Sequence, residues 1–219
     1  MRDLVIFGCG GFGREILQIV LDQNAERPAW RMRGFLVSPE YPAPSTVQGF
    51  PVETGIGAFG EATTLAVAVG IGNPAARRKV VVELVAAGVR TFPPLVHPRA
   101  WLGRNVRLAD GVIICAGALL TTDIELGEHC HVNIGATVGH DAVLGRFSTL
   151  SPGVHLSGRV TLGEGVEIGT GACINPGITI GAGAIIGAAA AVVRDIPADC
   201  TAVGVPARVI KGPGLPVGS

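Results

Sequence analysis

Aromatic residues are scarce in this sequence, at 5% of 219 positions, with one Tyr and two Trp. A core without bulky rings must be filled by Val, Ile, Leu and Ala, which favours narrow, regular layers over one large globule. Neither sign of charge is in excess, since 17 basic residues face 17 acidic ones. No surplus therefore draws the chain to nucleic acid or to an anionic membrane surface. The five cysteines (Cys9, Cys115, Cys130, Cys173 and Cys200) are odd in number and include no C-x-x-C pair. That pattern speaks against a disulfide framework or a zinc site and for a reducing, cytoplasmic setting. No apolar run reaches the ~18 residues of a membrane span. Nor does the beginning of the chain have the layout of a signal peptide.

What the sequence does have is a repeat. Stepping by six from Leu102 gives Leu108, Ile114, Leu120, Leu126, Val132, Val138, Leu144, Leu150, Leu156, Leu162, Ile168, Ile174, Ile180, Ile186 and Val192, all Leu, Ile or Val. Four residues after each lies a second small or aliphatic position, from Val106, Val112, Ala118 and Ile124 through to Ile196, with only Ser148 polar. Residues directly after the aliphatic position are often Gly, Asn or Ser, which suit turns. A period of six excludes a coiled coil. A short extended run plus a tight turn makes one side of a coil, and three sides close it. Residues eighteen apart then stack at ~4.8 Å, burying an aliphatic column that no single repeat buries alone. The repeat predicts a parallel β-helix. Its hand stays open, because periodicity carries no chirality and parallel crossovers are ordinarily right-handed.

Before the repeat, residues 4–7 read as a buried strand, followed by Gly8-Cys9-Gly10-Gly11-Phe12-Gly13 and a helical pattern carrying Ile16, Leu17, Ile19, Val20 and Leu21. Strands at 34–37 and 65–70 and a helix at 74–87 complete a small αβ unit. A glycine-rich turn between strand and helix lets backbone N–H groups approach a phosphate. The spacing fits G-x-G-x-x-G, but Ser38 and Pro39 occupy the place of the acidic residue expected after the second strand, with Glu40 just beyond. Three readings stay open here: a dinucleotide, the pyrophosphate of a nucleotide sugar, or a structural turn.

The run L-G-x-x-x-V/A resembles the hexapeptide-repeat acyltransferases, which implies a left-handed β-helix and assembly as homotrimers. Together with the glycine loop, Ile71-Gly72-Asn73-Pro74, Arg77, Arg78 and Val203-Gly204-Val205-Pro206-Ala207-Arg208, the sequence resembles one subgroup. These are bacterial sugar acetyltransferases related to sialic acid O-acetyltransferase and to N-acetyltransferases of nucleotide-linked 4-amino sugars. The resemblance implies a Rossmann-like α/β domain (residues 1–92) and a left-handed β-helix (93–211), and the Gly- and Pro-rich residues 212–219 read as a flexible tail. The resemblance also implies acetyl-CoA as co-substrate, a nucleotide-sugar partner and active sites between subunits. Gly8, Gly10, Gly11, Phe12, Gly13 and Asn73 are then expected at the nucleotide sugar, with Phe12 standing where many relatives carry His. Acetyl-CoA is expected along the later coils, at Gly158, Thr170, Ala188, Arg208 and Lys211, and Asn133 at the acceptor sugar.

Five histidines are candidates for the chemistry. Counting hexads places His140 on the side beginning at Leu102, His129 and His131 on the next, and His155 on the third. Metal ligands must converge on one ion, and these diverge, so no metal is expected. His140 alone is followed by an acid, Asp141. Acyl transfer needs a base for the acceptor's proton, and a carboxylate beside the imidazole fixes its tautomer. Adjacent side chains on a strand diverge, so the pair must lie in a bend. In the resembled family a histidine here is the base and the next acid orients it. Gly158, eighteen residues on, is expected to offer its N–H to the thioester oxygen, against the plainer reading of a turn glycine. N-acetylation of a nucleotide-linked amino sugar is the leading reading. O-acetylation of sialic acid or another free sugar, and a non-catalytic trimeric scaffold, are the alternatives.

Overall fold

The six-residue period dictates two-residue strands, and these fill the second of the two units into which the chain divides, Met1–Pro98 and Arg99–Ser219. The protein is described from a computed structural model over residues 1–213. Residues 214–219, most of the expected tail, lie outside the described residues.

In the first unit, β1 (Arg2–Phe7), α1 (Gly11–Glu26), β2 (Trp30–Leu36), β3 (Thr46–Val47), β4 (Phe50–Glu53), β5 (Ala66–Val69) and α2 (Pro74–Ala86) follow in order. The sheet order is β3-β4-β2-β1-β5, and β1 pairs in parallel with both β2 and β5. Leu4, Val5 and Ile6 are fully buried, because this central strand is covered on both faces. Ile16, Leu17, Ile19 and Val20 form the buried stripe of α1 at helical spacing. The chain leaves β1 on one side and later returns to its other side. This makes the carboxyl ends of β1, β2 and β5 a topological switch point, where open α/β sheets hold ligands. The β3–β4 hairpin was not read from the sequence. Its turn is Gln48-Gly49, both at positive φ between the paired Val47 and Phe50, a two-residue form that matches strand twist.

The second unit is a parallel β-helix. One side stacks Trp101–Leu102, Leu119–Leu120, Thr137–Val138, His155–Leu156, Cys173–Ile174 and Ala191–Val192. The second side stacks Arg107–Leu108, Glu125–Leu126, Val143–Leu144, Thr161–Leu162 and Thr179–Ile180. The third includes Ile113–Ile114, His131–Val132, Thr149–Leu150, Glu167–Ile168 and Ile185–Ile186, then Thr201–Val203 and an antiparallel Arg208–Lys211. Partners are eighteen residues apart, as Leu120 with Val138 and Val132 with Leu150, until the last parallel pair, where Ile186 meets Ala202. From Leu120 to Val192 each sixth residue is at most 3% exposed. Ser148, the polar exception in the inner column, is fully buried with its hydroxyl 2.7 Å from Gly145 O. The hydroxyl proton therefore has an acceptor, and burial costs little.

Two details differ from the sequence reading. Each strand begins one residue before the aliphatic position, so His131 belongs to the third side and His155 to the first, in register with Thr137. The glycines after the aliphatic residues are also small for another reason than turn formation. Gly139 and Gly145 have no positive φ, but a Cβ there would stand 2.5 Å from backbone of the next coil.

Candidate active site

His140 and Asp141 occupy the corner between the first and second sides of the β-helix. The chain bends there because Asp141 takes φ 59°, a left-handed conformation that Asp tolerates better than most residues. The bend brings adjacent side chains together. His140 Nδ1 lies 2.7 Å from Asp141 Oδ2, and both side chains are about half exposed, at 52% and 56%. With the carboxylate accepting from Nδ1–H, the second nitrogen, Nε2, is the one able to take a proton.

Nε2 faces the next coil. A Cβ built on Gly158 would stand 2.5 Å from it, closer than side-chain carbons approach such an atom. Gly158 has no positive φ, so the turn itself does not require glycine. The imidazole does. Among the described residues the Gly158 N–H donates to no other backbone group, while its carbonyl accepts from Gly177 N. The coil before carries Asp123 in the place of Asp141, its carboxyl held below the usual range by the Asn105 amide and then the Thr122 hydroxyl.

The other expected site residues are spread more widely. Asn133 lies at a different corner, between the third and first sides, and its Nδ2 donates to Leu150 O at 2.7 Å. Thr170 and Ala188 share that corner's column in later coils, where Ala189 N donates to Thr170 O. Arg208 and Lys211 are exposed at the two ends of the last strand. Of the other histidines, His129 is buried and stacked on Phe147, with ring centroids 5.2 Å apart. His155 Nδ1 lies 2.9 Å from Thr137 Oγ1. No group of three or more His, Cys, Asp or Glu side chains suited to a metal ion occurs among the described residues. Cys115 and Cys130 are buried in the coils, whereas Cys173 is exposed.

In the first unit, Gly8, Gly10, Gly11 and Phe12 line a cleft of about 350 Å³. Gly13 lies behind it: a Cβ there would stand 1.8 Å from Gly8 O, so this glycine lets α1 seat against the strand end. At Gly10 and Gly11 an added Cβ would meet nothing within 4 Å, which leaves the backbone open to approach. Helix α1 has no side-chain cap and no acid in its first turn, so no side-chain charge of its own offsets the positive dipole end that faces an anion. Asn73 is instead the N-cap of α2, accepting from Ala76 N at 3.0 Å. Sequence reasoning missed Glu40, Tyr41, Lys79 and Glu83, which complete the cleft. The position of Glu40 just past the second strand was the available signal.

Residues 3–84 match the PglD N-terminal domain family. Over 150 residues the chain is 32% identical to the GDP-perosamine N-acetyltransferase of Escherichia coli O157:H7, a match spanning 68% of this chain and 66% of that protein. A solved structure of a histidine-to-asparagine mutant of perosamine N-acetyltransferase from Caulobacter crescentus, in complex with CoA and GDP-perosamine, has a TM-score of 0.87. It is 30% identical, with 96% of this chain and 98% of that one covered. The acetyltransferase domain of PglB from Neisseria gonorrhoeae FA1090, in complex with acetyl coenzyme A, has a TM-score of 0.83 and 30% identity. There 95% of this chain and 99% of the other are covered.

Proposed function

This chain belongs to the hexapeptide-repeat sugar acetyltransferases, whose left-handed β-helix it shares, and from that premise we propose that it acetylates the amine of a nucleotide-linked 4-amino sugar. The observation that carries the chemistry is the His140–Asp141 pair, 2.7 Å apart, with Nε2 set against the Gly158 backbone. Acetyl-CoA is the second substrate and transfer is direct. The sugar amine attacks the thioester carbonyl while His140 Nε2 takes the amine proton. Asp141 holds the ring in the tautomer that leaves Nε2 free and stabilises the imidazolium that forms. The Gly158 N–H faces the oxyanion. Collapse breaks the C–S bond, and the imidazolium returns its proton to the leaving thiolate. The relatives that bind CoA with GDP-perosamine, or acetyl coenzyme A, support both substrates.

The glycine loop takes the nucleotide diphosphate at the α1 N-terminus, where N–H groups and dipole favour an anion. Gly158, Thr170, Ala188, Arg208 and Lys211 are assigned to acetyl-CoA, and Asn133 to the acceptor sugar. The enzyme is read as a cytoplasmic homotrimer with sites between subunits. No helix among the described residues is long and apolar enough to cross a membrane. The deciding experiment is thiol release from acetyl-CoA with GDP-, UDP- and dTDP-linked 4-amino sugars, and free sialic acid alongside. Turnover with a nucleotide amino sugar is expected. Turnover with the free sugar alone would move the reaction to O-acetylation, and no turnover with any would favour a scaffold.

A further inference from the structure

The cleft at the glycine loop carries charges that a diphosphate alone does not explain. Its lining includes two carboxylates, Glu40 and Glu83, and the cation Lys79. Lys79 Nζ stands 3.8 Å from Glu83 Oε1, one helical turn apart on α2, so that carboxylate has its counter-charge. Glu40 remains. An anionic side chain in a cleft built for an anion repels it, unless the carboxylate faces a neutral, donor-rich part of the same ligand.

The topology says which part. Glu40 follows the carboxyl end of β2, and β2 is the direct neighbour of β1, from which the glycine loop springs. Adjacent strands are ~4.8 Å apart, a step comparable to that from a diphosphate to its own ribose. In doubly wound sheets an acidic residue at this place accepts from the ribose hydroxyls. In this chain the end of β2 carries Ser38 and Pro39, and the acid comes later. The structure nevertheless brings Glu40 to the cleft that the glycine loop lines.

From this juxtaposition we infer that Glu40 accepts hydrogen bonds from the ribose diol and makes the enzyme select ribonucleotide-linked sugars over 2′-deoxyribonucleotide-linked ones. The inference rests on the nucleotide-sugar reading of the first unit and narrows the acetyl acceptor to amino sugars carried on GDP- or UDP-type ribonucleotides. A carboxylate accepts from both hydroxyls of the diol. Removing the 2′-hydroxyl forfeits one charge-assisted bond, about tenfold or more in affinity.

The test is titration calorimetry of the intact protein with GDP, UDP and their 2′-deoxy counterparts, repeated with Glu40→Gln. Glu40 is exposed, so the isosteric variant leaves the fold alone. The expected result is that the ribose form binds about tenfold or more tightly than the deoxy form in the wild type, and that Glu40→Gln cuts this ratio to near unity. Equal binding of both forms to the wild type, or a ratio unchanged in the variant, overturns the role of Glu40 while leaving the nucleotide site standing. Failure of every diphosphate to bind removes the nucleotide site itself, and this inference with it.

Discussion

At the scale of single residues, one imidazole sets the requirements on its neighbours. Asp141 must adopt a left-handed backbone to reach Nδ1, and Gly158 must lack a Cβ to admit Nε2. Replacing His140 by Ala removes the base, and kcat should fall roughly 10²–10⁴-fold. Steady-state thiol release checks this, and near wild-type turnover would end the mechanism. Gly158→Ala is the more discriminating change. The methyl group cannot coexist with the ring as placed, but His140 is half exposed and can swing aside. The variant should therefore lose on the order of tenfold or more in kcat with a melting temperature close to wild type, because ring geometry and not packing is disturbed. A large drop in melting temperature at unchanged kcat would make Gly158 merely structural. The His140–Asp141 pair was legible because a histidine followed by an acid stands alone in the repeat. The steric demand on Gly158 was legible only as stacking at eighteen residues, since its contact with Nε2 depends on the ring's rotamer.

At the scale of elements, the glycine loop divides into positions that pack and positions that open to solvent. Gly13→Ala drives a methyl into Gly8 O, so α1 must move off the strand end, at a cost of about 1–3 kcal/mol. Gly10→Ala meets nothing within 4 Å, and its stability should stay within about 0.5 kcal/mol of wild type. Yet Gly10→Ala should weaken diphosphate binding several-fold, because the methyl stands where the ligand approaches the helix N-terminus. Chemical denaturation and calorimetry on the two variants separate these effects. The same loss of stability in both would contradict the division. Sequence spacing identified the strand–glycine–helix unit but could not say which glycine faces outward. That depends on where β5 lies, since Gly70 packs against Gly13 from the neighbouring strand.

At the scale of the whole molecule, the β-helix is a stack in which each coil contacts chiefly the next. Leu150 is fully buried in that column, between Val132 and Ile168. Leu150→Ala should cost about 2–5 kcal/mol, and the damage should spread, because neighbouring coils lose a shared interface. Hydrogen exchange will show this as lowered protection over several coils on either side. A loss confined to residues 149–151 would argue for independent coils.

The sequence by itself determined the repeat architecture, because a period of six with an aliphatic residue at every step has one way to bury its column. It also determined the strand–glycine–helix start, whose turn chemistry is local. It did not determine the side on which His155 lies, because the frame between strand and corner shifts by one residue and nothing in the period marks it. The hairpin at Gln48-Gly49 was likewise hidden, its strands being too short for alternation to register. Only the tertiary structure brought Glu40 to the cleft that the glycine loop lines, and only the ring's rotamer set His140 Nε2 against Gly158, whose stacking the eighteen-residue period already carried. Both juxtapositions depend on the spacing of neighbouring strands and on side-chain placement, which hydrogen-bonded pairing and packing set and composition does not record.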